Sequence, residues 1–183
     1  MHSLLALSRL IDAVNARMGQ AASWLVLVVV LISAGNAVVR KAFDISSNGF
    51  LEIQWYLFSA VFLLAAAYTL QKNEHIRIDL LASKLSKRGQ AIIDIIGTLL
   101  FLMPVCIILI MYGWPLFEKA WVSGEMSSDA GGLIRWPVFL LIPVGFSLLL
   151  AQGLSEVIKR VAFLQGLIAD PSEKNTDVHK EPV

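Results

Sequence analysis

Four long runs without a charged residue constrain the fold of this chain more than any other feature. They cover residues 18–39, 53–71, 95–117 and 136–155, and a charged residue bounds each of them on both sides. At ~1.5 Å per residue, a helix of about 20 residues crosses the ~30 Å hydrocarbon core of a bilayer. The sequence therefore predicts an all-α integral membrane protein with four transmembrane helices.

The composition supports the same class. Of the 183 residues, 57% are hydrophobic and only 16% are charged, which is too apolar for a soluble domain of this size. We expect residues 1–168 to form a single four-span membrane domain. Residues 169–183 are polar, and we expect them to be a disordered cytoplasmic tail.

The segment that precedes the first span has a helical pattern of its own. Apolar residues recur at helical spacing while polar residues occupy the other side; the apolar set is Leu4, Leu7, Ile11, Val14 and Met18, and the polar set is Arg9, Asp12, Asn15 and Arg17. This predicts an N-terminal amphipathic helix that lies in the membrane interface. A cleaved signal peptide is the alternative, although Arg9 and Asp12 interrupt its apolar region.

The distribution of Lys and Arg predicts the orientation. Eleven of these residues lie in the N-terminal segment, the connection between the second and third spans, and the C-terminal tail, whereas four lie in the other two connections. Because positive charge is retained in the cytoplasm, both termini are expected to be cytoplasmic.

Catalytic and metal-binding chemistry is not indicated by the sequence. Pumps and membrane enzymes keep ionisable groups inside the bilayer, and the four runs contain no Asp, Glu, Lys, Arg or His. Cys106 is the single cysteine, and His2, His75 and His179 are far apart in the chain. We expect no enzyme activity and no bound cofactor. A sodium site made of hydroxyls and carbonyls remains an alternative, and its candidates are Ser59, Thr69, Thr98, Ser147 and Gln152.

Charged and aromatic residues flank the spans and suggest contacts with partners. After the second span, the segment His75-Ile76-Arg77-Ile78-Asp79-Leu80-Leu81 alternates charged and apolar side chains, and Asp79 can cap a helix that begins at Leu80. The predicted outer loop from 118 to 135 contains Trp121, Glu125, Asp129 and Arg135. Within the spans, Pro104 and Pro143 predict kinks, and Asp94 is interpreted as structural.

These features together resemble a known family. Glu52 at the start of span two, the exit segment with His75, Arg77 and Asp79, a glycine-rich outer loop and a last span with Trp136, Pro137 and Gln152 are similar to the DctQ-like small membrane subunit of tripartite ATP-independent periplasmic (TRAP) transporters. The resemblance covers about residues 20–160.

The resemblance implies a multi-pass subunit of the bacterial inner membrane without a substrate site of its own. A large TRAP membrane subunit would carry substrate and sodium, and an extracytoplasmic substrate-binding protein would deliver organic acids; this chain would be the scaffold. Membrane lipid is a further expected partner, whereas nucleic acid is not. The expected interface residues are Arg40, Lys41, Glu52, His75, Arg77, Asp79, Trp121, Asp129, Arg135 and Trp136.

Two surfaces with different roles are predicted within that set. Arg77 and Asp79 would hold the cytoplasmic end of the complex, whereas Arg40, Lys41 and the outer loop would dock the binding protein.

Two alternatives to the scaffold hypothesis stay open. One is a self-sufficient small transporter or channel, which should carry a polar stripe along one span. The other is a membrane enzyme or assembly factor, for which a cluster of His, Asp or Cys at one surface is expected.

Overall fold

The computed structural model describes residues 1–44, 47–73 and 85–171. Four long helices account for most of them: α1 (His2–Phe43), α2 (Asn48–Lys72), α3 (Lys87–Ser123) and α4 (Trp136–Leu164). Each contains one of the uncharged runs and is long and apolar enough to cross a membrane. Among the described residues there is no β-strand. The predicted all-α class with four transmembrane helices is confirmed.

The N-terminal segment is helical as predicted, but it is not a separate helix. It forms the first part of α1, which runs for 42 residues without a break. At ~1.5 Å per residue α1 is about 63 Å long, roughly twice the thickness of a hydrocarbon core. The polar residues Ser8, Asp12 and Asn15 contact α4 rather than forming a free polar face. The predicted N-terminal helix is therefore continuous with the first span, and its place in the membrane interface stays a prediction.

Helix α3 changes its winding next to Pro104. The segment Thr98–Leu102 forms a π-helical turn, and regular α-helix resumes at Met103–Ser123. Proline has no N–H to donate to the carbonyl four residues earlier, here that of Leu100, and its ring crowds that carbonyl. A wider turn at this point relieves the conflict. In α4, Pro137 lies in the first turn, where its missing N–H has no helical partner to lose, and Pro143 lies inside the helix.

The helices do not form a symmetric bundle, because α4 is central. It packs against α1, α2 and α3, whereas α1 and α2 pack mainly against each other and α4. The pairing of α1 with α2 is antiparallel, since Gly19 meets Tyr68 near one end and Ser33 bonds Gln54 near the other. Gly19 permits a close approach there, because a β-carbon at this position would clash with the ring of Tyr68.

The orientation across the membrane is a prediction that reporter fusions can test. The 11 to 4 asymmetry of Lys and Arg leads us to expect an extracytoplasmic signal from fusions after Ser47 and after Ser128. Fusions after Lys87 and at the C terminus should report the cytoplasm. A cytoplasmic signal from the Ser128 fusion would contradict the predicted topology.

Candidate functional site

Polar and charged side chains gather at the two ends of the protein. We call the end that carries residues 124–135 the loop end, and the end that carries the N terminus and the last turns of α4 the terminal end. The spans between them are uncharged. Interactions with other proteins are therefore expected at the two ends and on the apolar sides of the helices, rather than at a site inside the membrane.

At the loop end, residues 124–135 fold back on themselves. The backbone N–H of Ser127 donates to the carbonyl of Leu133 at 2.9 Å, and that of Arg135 donates to the carbonyl of Glu125 at 3.0 Å. The Arg135 guanidinium also donates to the Glu125 carboxylate at 2.7 Å, a contact that raises the pKa of Arg135 above its ordinary value. Residues 124–135 thus have a defined shape.

Helix α2 supplies the support for this loop. The carboxylate of Glu52 is buried, and its Oε2 accepts a hydrogen bond from the backbone N–H of Leu133 at 2.7 Å. Four residues earlier, Asn48 donates from its side chain to the carbonyl of Ala130 at 3.1 Å. The predicted interface residue Glu52 therefore lies under the loop rather than on its outer surface.

Aromatic rings join the two helices that the loop connects. Trp121 of α3 and Trp136 of α4 make an edge contact with ring centroids 4.6 Å apart. Phe117 contacts both of them, and Trp114 extends the group by one more ring. Edge-to-face pairs of this kind favour a fixed geometry. The two predicted interface tryptophans thus pack against each other, while Trp121 also remains exposed.

The remaining predicted interface residues fall into two groups. Arg40 and Lys41 lie exposed in the last turn of α1, and Asp129 lies exposed in the loop. Because α1 leads into α2 through a short connection, all three are at the loop end with Glu52, Arg135 and Trp136. His75, Arg77 and Asp79 lie outside the described residues, and so does the predicted helix start at Leu80.

The terminal end contains a polar network that joins α1 to α4. Asp12 Oδ1 accepts hydrogen bonds from Gln152 at 2.8 Å and from Ser155 at 2.9 Å, and Lys159 Nζ lies 3.1 Å from Asp12 Oδ2. The network continues through three further pairs: Asn15 with Gln152, Ser8 with Ser155, and Lys159 with Glu156. A hydrogen bond from Gln71 to the carbonyl of Asp12 adds α2.

A second charged cluster joins α3 to α4 at the same end. Arg160 is only 6% exposed, and its Nη2 lies 2.9 Å from Oδ2 of Asp94 on α3. Its Nη1 lies 3.5 Å from Oδ1 of Asp170, which Lys87 also approaches at 3.4 Å. The contact with Arg160 is consistent with the predicted structural role of Asp94. Asp170 belongs to the predicted disordered tail, yet it is buried here; residues 172–183 lie outside the described part of the chain.

These two clusters were not found by reasoning from the sequence. A signal was present, because Ser8, Asp12 and Asn15 share one face of α1, and Gln152, Ser155, Glu156 and Lys159 share one face of α4. A single charged face is equally typical of a helix at the membrane surface.

Of the candidate sodium ligands, Thr69 and Ser147 donate to carbonyls of their own helices, while Gln152 belongs to the α1–α4 network.

Within the described residues, no group of three or more His, Cys, Asp or Glu side chains is arranged to hold a metal ion. The arrangement can do two things instead. It ties α1 and α3 to α4 at the terminal end, with α2 bonded to α1, and it presents a structured, charged loop at the other end. These features define a four-helix integral membrane protein whose charged groups lie at its two ends.

The comparison with protein families places it within that class. A family profile described as "Tripartite ATP-independent periplasmic transporters, DctQ component" matches residues 29–163, which is well over half of the chain. The chain belongs to the DctQ family and is thus the small subunit of a TRAP transporter, a multi-pass protein of the inner membrane. No curated protein matches it.

Membership in this family also narrows the activity and the partners. DctQ proteins are components of a transporter and not a family of enzymes. The family implies association with a large TRAP membrane subunit and with a substrate-binding protein. The resemblance stated from the sequence is thereby confirmed.

Proposed function

We propose that this subunit is a rigid scaffold for the large subunit in sodium-coupled, binding-protein-dependent uptake of organic acids. Sodium coupling and the organic-acid class follow from the resemblance to the family. The scaffold role rests chiefly on one observation: charged contacts at the terminal end tie α4 to both α1 and α3, through Lys159 with Asp12 and Arg160 with Asp94. Each tie joins segments that are far apart in the chain.

These ion pairs favour a subunit whose helices keep their relative positions over one whose helices slide past each other. A charge that is buried without its partner costs several kcal/mol, roughly 3–5 in measured cases, so sliding of α4 past α1 or α3 is opposed. A scaffold also needs no ion pathway of its own. The four uncharged runs agree with that, because an ionisable group inside the membrane is kept where function requires it.

The apolar sides of the helices are available to the large subunit and to lipid. Helix α3 packs mainly on α4, and large side chains on its other side are exposed, among them Leu100, Phe101 and Met111. The outer side of α1 is similarly apolar and exposed, with Val30, Leu31 and Val38. We propose that the large subunit covers part of this surface and that membrane lipid covers the rest.

The two ends then have separate partners. At the loop end, Arg40, Lys41 and Asp129 are exposed, and so is Trp121 at the same end; this combination of charge and aromatic surface suits a soluble protein partner. We propose that the substrate-binding protein docks there. The segment with His75, Arg77 and Asp79 is proposed, from its sequence alone, to hold the cytoplasmic side of the membrane complex.

Reconstitution tests the scaffold proposal. In proteoliposomes with a sodium gradient and binding protein, this subunit alone should give no uptake of organic acid above protein-free vesicles. The same vesicles with the large subunit added should show sodium-dependent uptake, and the two membrane subunits should co-purify. Sodium-driven uptake by the small subunit alone would refute the scaffold role and favour a self-sufficient transporter.

A further inference from the structure

Glu52 is a buried carboxylate at the start of a membrane-spanning helix, where a charge needs a reason to be retained. We infer that Glu52 is a positioning residue: it holds residues 124–135 in the shape that the substrate-binding protein recognises. This inference rests on the docking surface proposed above. It assigns the role to a side chain that lies beneath the docking surface and is almost inaccessible from outside.

The contacts of Glu52 reach the returning half of the loop. Its Oε2 accepts from the N–H of Leu133 at 2.7 Å, and Ser127 on the outgoing half lies beside the same carboxylate. A carboxylate that accepts a backbone N–H makes a charge-assisted hydrogen bond, which is stronger than one between neutral groups. One side chain of α2 therefore touches both halves of the loop.

Close packing at Gly132 shows how tightly the loop follows this carboxylate. A β-carbon at Gly132 would lie 2.5 Å from Cβ of Ser127 and 2.8 Å from Oε1 of Glu52. Neither distance is possible without a shift of the loop or of the carboxylate. The loop can therefore sit over Glu52 in this way only because residue 132 has no side chain.

The exposed acidic residue of the loop, Asp129, is bonded on both sides by residues that contact Glu52. The N–H of Gly132 donates to the carbonyl of Asp129 at 2.9 Å, and the N–H of Asp129 donates to the Ser127 hydroxyl at 3.3 Å. The place of Asp129 relative to Arg40 and Lys41 on α1 thus depends on residues that contact Glu52. A partner that binds these charges together requires them at a set spacing.

The test measures uptake against the concentration of binding protein, using the complete transporter in proteoliposomes. The variants are Glu52→Ala, Glu52→Gln and Gly132→Ala. We expect Glu52→Ala and Gly132→Ala to raise the half-maximal concentration about three- to tenfold, as the ordering of one or two interface side chains would. The maximal rate and the co-purification with the large subunit should stay at wild-type values. Glu52→Gln should have a smaller effect, because its amide oxygen can still accept from Leu133.

Two controls match these changes. Glu118→Gln removes an exposed carboxylate near the loop-end terminus of α3, and Gly35→Ala adds a β-carbon where nothing lies within 4 Å. Both should behave as wild type. If Glu52→Ala and Gly132→Ala leave the half-maximal concentration unchanged, or lower only the maximal rate and the yield of complex, Glu52 is structural and the inference is wrong.

A surface variant separates this inference from the docking proposal. Asp129→Lys reverses an exposed charge without touching Glu52. If Asp129→Lys raises the half-maximal concentration while Glu52→Ala and Gly132→Ala do not, docking stands and the inference fails. If neither Asp129→Lys nor the Glu52 and Gly132 variants change it, the docking surface itself is refuted.

Discussion

Replacing Arg160 with methionine should destabilise the purified subunit by about 3 kcal/mol, because it removes one partner of a buried ion pair. Arg160 is almost fully buried between Asp94 on α3 and Asp170 after α4. Without the guanidinium, Asp94 and Asp170 each lose an ion pair, although Lys87 still lies 3.4 Å from Asp170. The negative charge at this place is then less well compensated, and the contact between α3 and α4 at the terminal end weakens.

Thermal unfolding in detergent measures this effect, and a fall of several degrees in the melting temperature is expected. Arg88→Met is the matched control, since it removes an exposed arginine from the first turn of α3 at the same end. Adding Asp94→Asn to Arg160→Met should restore part of the loss, because one of the two carboxylates is then neutral. Equal melting temperatures for Arg160→Met and Arg88→Met would show that the cluster adds nothing to stability.

Replacing Asp12 with leucine should destabilise the subunit by about 2 kcal/mol, because Gln152, Ser155 and Lys159 all donate to this carboxylate. These donors are partly or fully buried on α4, and leucine offers none of them an acceptor. The first turns of α1 should then separate from α4. Asp12→Asn should cost less, since its amide oxygen can still accept one of the bonds.

Limited proteolysis of the N-terminal segment, together with the melting temperature, reports this change. Faster cleavage before the first span is expected in Asp12→Leu. Arg9→Leu is the control, because it places the same side chain on the exposed side of α1 three residues away. If both variants resist protease as the wild type does, the Asp12 carboxylate is not needed to hold α1 to α4.

Much of the loop end could be anticipated from the sequence, but the role of its central residue could not. Glu52, Trp121, Arg135 and Trp136 were predicted as interface residues, and the structure brings them to one end. Glu52 proved to be buried under Leu133, 81 positions along the chain. No local pattern shows which backbone N–H will cover a carboxylate at a helix start.

The terminal end was only partly anticipated from the sequence. The spacing of Arg9, Asp12, Asn15 and Arg17 predicts a polar helical face, and a membrane interface is the ordinary environment for such a face. Asp12 and Asn15 instead bond Gln152 on α4, which lies 140 positions from Asp12, whereas Arg9 and Arg17 are exposed. An amphipathic pattern identifies the polar face of a helix, but it does not show which element packs against that face.

The sequence by itself determined the class, the number of spans and their approximate limits. These follow from the length of each uncharged run, because the free energy of transfer into a bilayer depends on the residues of one helix and hardly on its neighbours. Only the tertiary structure decided that α4 is central, that Asp12 and Arg160 tie it to α1 and α3, and that Glu52 supports the loop. Those contacts join residues distant in the chain, and their stability depends on donors and acceptors that meet only after the helices have packed.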